Sequence, residues 1–206
     1  MKIPLRYQLS EYDCGPTSLL NGISFLFQRE EIPPEVIRNI MLYCLDCYGD
    51  DGVSGKSGTS RMAMMFLSGW LDGFGKVGRL PVSSRYLSGP AVSISESSDI
   101  CDALRRGGAA VVRLLFEEWH YVLLTGLTAD GSVELFDPYY EQLPLPDPDI
   151  RTTDSEPFRY NRIVPPRCFN REDGLYALGP ADIREAVLLF NQTTELTPEK
   201  SIEYFI

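Results

Sequence analysis

Apolar positions in the first hundred residues recur at helical intervals, whereas those from position 109 onward run on or alternate. Leu19, Leu20, Ile23, Leu26 and Phe27 fall three or four apart and make one apolar helix face. Asp13-Cys14-Gly15-Pro16 marks its start, an acceptor followed by a proline near the first helical position. The spacing predicts further helices over residues 34–48, 60–71 and 98–106, the last stopped by Gly107-Gly108. Residues 49–60, rich in glycine and serine, read as a loop.

Residues 109–116 form an apolar run that reads as a strand. Two more strands are predicted over 121–127 and 132–136, with Asp130-Gly131 turning between them. Residues 139–166, full of proline and aspartate, read as a long surface excursion, 175–178 as a further strand and 180–191 as a closing helix. There is no internal repeat and no linker composition. The expectation is therefore one domain over 1–206, with a helical half to about 108 and a β-rich half beyond it. That is an α+β layout.

Composition narrows the function. The chain has 206 residues, enough to bury about 70% of the unfolded surface. Its 44% hydrophobic and 23% charged content excludes disordered and fibrous classes. A formal charge of −10 without a basic stripe argues against nucleic acid as a partner. No run of about 18 apolar residues is present, so no membrane span is expected. The N-terminus turns polar within a few residues, unlike a secretory signal. Five scattered cysteines, an odd number, imply reduced thiols and a cytoplasmic location.

The chain has a single histidine, so any Cys–His or Ser–His chemistry must use His120. A helix N-terminus and a neighbouring imidazole both favour a thiolate, and Cys14 has the first from local sequence. Gly15 beside it lets backbone come close to a substrate. Read without partners, Cys14 is a buried structural cysteine and His120 a satisfied residue beside a strand. Asp137, fixed by Pro138 after the third strand, changes that reading. If the two strands join through an even-numbered loop, His120 and Asp137 share a face. With a four-residue loop His120 lies opposite Tyr139 and Asp137 is its diagonal neighbour, roughly 7–8 Å away at Cβ. An aspartate there can orient the imidazole and leave its other nitrogen for the thiol. Gln8, six residues before Cys14, can reach over the helix start as a donor to an oxyanion, with the Cys14 backbone N–H.

Gln8-Leu9-Ser10-Glu11-Tyr12-Asp13-Cys14-Gly15-Pro16, His120-Tyr121-Val122 and Phe136-Asp137-Pro138 together resemble the bacteriocin-processing peptidases. These form the cysteine-peptidase family numbered thirty-nine, which cuts after double-glycine leaders. The run Ala103-Leu104-Arg105-Arg106-Gly107-Gly108-Ala109-Ala110-Val111-Val112 also looks like that family's helix-into-strand step. The likeness covers roughly residues 6–139. It implies a papain-like fold, a helical lobe bearing the cysteine against a twisted antiparallel sheet bearing His and Asp. It also implies roles: Cys14 as nucleophile, His120 as base, Asp137 as orienter and Gln8 in the oxyanion hole. Thr17 departs from the family's usual alanine, and the membrane and ATPase parts of the transporters are missing, so a stand-alone domain is expected. The implied reaction is peptide or amide hydrolysis through a thioester. Two alternatives stay open: a relative of the same fold that moves an acyl group from a carrier thioester to an amine, and an inactive peptide-binding module. The expected partner is a peptide or acyl substrate, and no cofactor or metal is called for.

Other signals carry less. Cys44-Leu45-Asp46-Cys47 has the spacing of a metal or redox pair but lacks further ligands, so two cysteines on an ordinary helix are expected. Gly52-Val53-Ser54-Gly55-Lys56-Ser57 lacks the first glycine of a phosphate loop, where Asp50 stands, though the segment could border a substrate groove. Met62, Met64, Met65, Phe66 and Trp70 read first as core and second as a hydrophobic pocket. The acidic excess reads as a solvated face, or as a cleft that favours basic peptides.

Overall fold

The computed structural model describes residues 1–140 and 145–197. Among these, four α-helices accompany one seven-stranded antiparallel sheet, a mixed α+β architecture. The helices are α1 Cys14–Leu26, α2 Pro34–Tyr43, α3 Arg61–Lys76 and α4 Asp99–Arg105. The strands are β1 Val82–Ser88, β2 Ala109–Phe116, β3 Glu118–Leu127, β4 Val133–Phe136, β5 Arg151–Thr152, β6 Arg162–Val164 and β7 Glu185–Asn191. They lie in the order β1-β7-β2-β3-β4-β6-β5.

Alternate side chains of the central strands go to opposite faces and build two cores. Val111, Leu123, Val187 and Leu189 pack with Leu19 and Ile23 of α1, Ile40 of α2 and Leu67 of α3. Val112, Leu114, Val122 and Leu188 pack on the other face with Ile100 and Leu104 of α4 and with Phe169 and Tyr176. Gly22 lets α1 sit close on the first face, because a Cβ there would meet Leu189 at 2.7 Å and Leu123 at 3.3 Å. Among the described residues, no helix is long and apolar enough to cross a membrane.

Several sequence expectations need correction. Residues 180–191 are not a helix. They hold β7, which pairs with β1 on one side and β2 on the other. Every residue of β7 is buried, so its apolar run shows no alternation and resembles a helix face. The sheet also gains β1 from the half read as helical. Its Val-Ser-Ser-Arg-Tyr-Leu-Ser sequence is that of an edge strand with one exposed side. Residues 175–178 are not a strand: 175–176 form a turn, with Tyr176 at φ +60°, and 177–178 are irregular. Within 139–166, where residues 141–144 lie outside the described residues, the chain returns to the sheet as β5 and β6 and is no mere surface excursion.

Boundaries move as well. α2 stops at Tyr43, not 48, which leaves Cys44 and Cys47 off the helix. Thr59 Oγ1 accepts from the Leu45 N–H, and the Asp46 carboxylate accepts from both the N–H and the hydroxyl of Ser60. These bonds draw the chain out of helix and fold residues 44–60 into a closed loop. α3 runs on to Lys76, past the expected end at 71, because Gly75 lies against the Val82 carbonyl where a side chain would not fit. On α3 only Met64 of the three methionines is core; Met62, Met65 and Phe66 are exposed, and Phe66 stacks on Tyr43 at 4.7 Å.

Candidate active site

β2 and β3 are joined tightly through Glu117, held at φ +61°. β3 begins at Glu118, earlier than the expected 121, so His120 lies within the strand. Its ladder to β4 opens at Leu123↔Phe136, so Glu118–Val122 take partners from β2 alone. The chain leaving β4 is then free to turn in at Asp137.

The connection between β3 and β4 is a five-residue loop, 128–132, not the even-numbered loop on which the shared face was argued. A bulge at Thr125 adds the compensating residue, since the register shifts between Leu124 and Gly126. The buried Thr125 hydroxyl donates to the carbonyl of Arg159 at 2.9 Å, which anchors the bulge. Beyond it the register equals that of a four-residue loop, and His120 and Asp137 meet. His120 Nε2 lies 2.7 Å from Asp137 Oδ1. A carboxylate only accepts, so Nε2 carries the hydrogen and Nδ1 is left for other work.

Asp137 is fully buried and satisfied on every side. Oδ1 also accepts the Tyr139 N–H at 2.9 Å, and Oδ2 accepts the Tyr176 hydroxyl at 2.8 Å. Asn161 clamps its main chain: Asn161 Oδ1 accepts the Asp137 N–H and Asn161 Nδ2 donates to the Asp137 carbonyl, both at 2.8 Å. His120 is 7% exposed, with the Phe116 ring 5.7 Å away and Tyr139 edge-on at 6.4 Å. Burial disfavours the charged ring, but the charge and hydrogen bond of Asp137, then the hydrogen bond and charge of Cys14, outweigh it. Together they push the His120 pKa up to about 10.

Cys14 is the first residue of α1 and only 7% exposed. The turn before it is tied by the Asp13 carboxylate, which accepts from the N–H of Leu9 and of Ser10 and from the hydroxyls of Ser10 and Thr17. Burial works against that carboxylate's ionisation, and these four donors override it and hold its pKa below the ordinary value. One turn on from Cys14, the Ser18 hydroxyl donates to the Tyr121 carbonyl at 2.9 Å and sets α1 in register with β3. Gly15 lets the 44–60 loop pack close to the start of α1: a Cβ there would meet Thr59 Oγ1 at 2.6 Å.

Gln8, Cys14 and His120 line one open cleft of about 490 Å³. The Gln8 segment is held by its N–H to the Pro138 carbonyl and, two residues earlier, by a two-way bond between Arg6 and Asn21. Gln8 Nε2 donates one hydrogen to the Ser10 carbonyl at 2.7 Å. Lys56, Ser57 and Gly58 of the 44–60 loop form part of the cleft wall, with Tyr12, Trp119, Glu11, Glu117 and Glu118 around the rest. The exposed methionines of α3 do not line it. Cys44 faces Thr59 in the interior, and burial drives its thiol up to about 12. Among the described residues, no three His, Cys, Asp or Glu side chains gather as for a metal ion.

The four residues singled out from sequence thus converge, Asp137 behind His120 and the other three on the cleft. Ser18, Asn161 and Tyr176 were not anticipated. Nothing local in the sequence marks them, because each acts on residues 24 or more positions away. Comparison with known protein families found no family model that matches this chain, and comparison with curated proteins found no match either.

Proposed function

We propose that this chain is a papain-like cysteine peptidase or amide hydrolase of the bacteriocin-processing kind, acting through a thioester. The observation that carries the reading is a buried Asp137–His120 pair that lines one cleft with a cysteine at a helix N-terminus, with the other ring nitrogen not engaged by Asp137. His120 keeps its proton at neutral pH, and an imidazolium and a helix N-terminus are both surroundings that favour the thiolate form, the nucleophile of the proposed reaction. The thiolate attacks the substrate carbonyl carbon, and the negative charge passes to the carbonyl oxygen. The Cys14 N–H at the start of α1 and the second hydrogen of Gln8 Nε2 are the proposed donors to that oxyanion. As the tetrahedral species collapses, the C–N bond breaks and the imidazolium gives its proton from Nδ1 to the leaving amine. In the second half, Nδ1 takes a proton from water, the hydroxide attacks the thioester, and the thiolate leaves with the acid as product.

The test requires no known substrate. Limiting iodoacetamide followed by peptide mapping should label Cys14 well ahead of Cys44, Cys47, Cys101 and Cys168, and the selectivity should persist at about pH 5.5. Burial first of all raises the Cys44, Cys47 and Cys168 thiols, which keeps them protonated and slow. Uniform labelling, or labelling led by another cysteine, would remove Cys14 as the nucleophile.

A further inference from the structure

Tyr176 is one of three non-glycine residues held at positive φ among those described, together with Leu45 and Glu117. An aromatic side chain resists that conformation, and it persists only where the surroundings impose it. Here they do so through both main-chain groups flanking the residue. The Tyr176 N–H donates to the Leu115 carbonyl at 2.7 Å, and the Leu115 N–H donates to the Ala177 carbonyl at 2.8 Å. The turn is thereby stitched to the end of β2. Its outcome is a fully buried ring that rests 5.8 Å from Phe116 and places its hydroxyl 2.8 Å from Asp137 Oδ2.

The hydroxyl's proton is fixed by its neighbours. Burial above all, then the Asp137 charge and hydrogen bond, raise the Tyr176 pKa well above the ordinary phenol value, against the opposing effect of Arg162. The phenol therefore stays protonated and donates to Asp137. Arg162, 5% exposed, carries a charge that acts on the same hydroxyl, and it donates from Nη1 to the Asn161 carbonyl at 2.9 Å. A carboxylate only accepts, so the phenol's one hydrogen goes to Asp137. The carboxylate thus holds the His120 donor on one oxygen and the Tyr176 donor on the other.

A carboxylate turns easily about its last side-chain torsion. Oδ1 carries His120 and the Tyr139 N–H, whereas Tyr176 is the only side-chain or main-chain donor found at Oδ2 among the described residues. We propose that Tyr176, held by its main-chain bonds to Leu115, is a positioning residue that locks the rotation of Asp137 and so keeps Oδ1 on His120 Nε2. This rests on the reading of Cys14 and His120 as a catalytic pair.

The single histidine makes the test direct, since every imidazole NMR signal belongs to His120. In the full-length wild-type chain, His120 should stay protonated through neutral pH. In Tyr176→Phe its titration should move down by about one unit or more, and Cys14 alkylation at pH 6 should slow by about tenfold. Placed in an Asp137→Asn background, the same change should do nothing further, the mark of a residue acting through Asp137. An unmoved or upward titration would overturn the proposal, because loss of a donor without loss of position strengthens the hold of the carboxylate on the imidazolium. An equal effect in the Asp137→Asn background would overturn it too. Should Tyr176→Phe fail to fold, genetically encoded 4-aminophenylalanine and 4-fluorophenylalanine at 176 make the same distinction. The first keeps an N–H donor and should preserve the His120 titration; the second should lower it, and equal behaviour of the two contradicts the proposal. A wild-type His120 that is neutral at pH 7, or a Cys14 that is not the first thiol alkylated, would instead bring down the catalytic reading and this inference with it.

Discussion

Asp137 has three donors on its carboxylate and no exposure to water, and of these the His120 ring is the one whose proton exchanges within the accessible pH range. In the unfolded chain a histidine titrates near about 6.5, whereas in the folded chain His120 holds its proton up to about 10. The resulting stabilisation is fully present below about pH 6.5 and is lost as pH rises through about 10. Asp137→Asn removes most of it. The wild-type advantage in Tm over this variant should therefore be largest between about pH 5 and 6.5 and should shrink toward pH 10. Parallel melting curves across that range check the sign. Turnover of an activated ester should also fall in the variant, by on the order of 10–10³-fold, since an amide can hold the imidazole but cannot stabilise its charge. With Cys14 and His120 acting as proposed, the loss should be smaller than the roughly 10⁴-fold of serine triads, because a thiol gives up its proton more readily than a serine hydroxyl and needs less help from a third member. A variant that lost Tm equally at every pH, with turnover per folded molecule intact, would make Asp137 a turn residue only.

At the scale of elements, α1 is placed by what lies beneath it. Gly22 sits on Leu189 and Leu123, and Ser18 is tied to the carbonyl next to His120. Leu189→Ala should cost about 2–5 kcal/mol in urea denaturation, as for other buried leucines, and should also slow Cys14 alkylation by loosening the seat of the helix. Met62→Ala on the exposed side of α3 should stay within about 0.5 kcal/mol. The same contrast explains what the sequence made legible. α1, α4, β2 and the turn into β4 show one-sided periodicity or strong punctuation, and they appear where the pattern puts them. β7 is buried on both faces and has no period to read, and β1 is an edge whose polar face hides it. The convergence of His120 with Asp137 was legible through strand parity, though the loop count behind it was off by one and was rescued by the Thr125 bulge. Asn161 and Tyr176 stayed hidden because their roles depend on how residues after β4 return to the sheet.

For the molecule as a whole, charge is the property that reaches the cleft from a distance. The chain carries −10, and Glu11, Glu117 and Glu118 line the cleft. Lys56, on the same wall, is already paired with Asp51 at 2.8 Å. A positively charged methanethiosulfonate should therefore modify Cys14 faster than a negatively charged one of similar size, by about tenfold or more at low salt. Near 1 M salt, where screening acts within about 3 Å, the two rates should converge. Equal rates at low salt would show that the carboxylates leave no net field at the sulfur.

The position of β7 also bears on how the molecule comes into being. The last of the described strands in sequence lies between β1 and β2, so the β2 side of the sheet stays open until residue 191 has been made. β1, whose partner in the sheet is β7 alone, waits through about a hundred residues of synthesis for its neighbour. Closing such a distant pairing is slow, and the exposed edge of β2 is a hazard in the meantime. The bed on which α1 rests includes Leu189, so the helix that carries Cys14 cannot take this seat before residue 189 has been made. A nascent copy thus holds every residue that lines the cleft well before α1 has the whole of its bed.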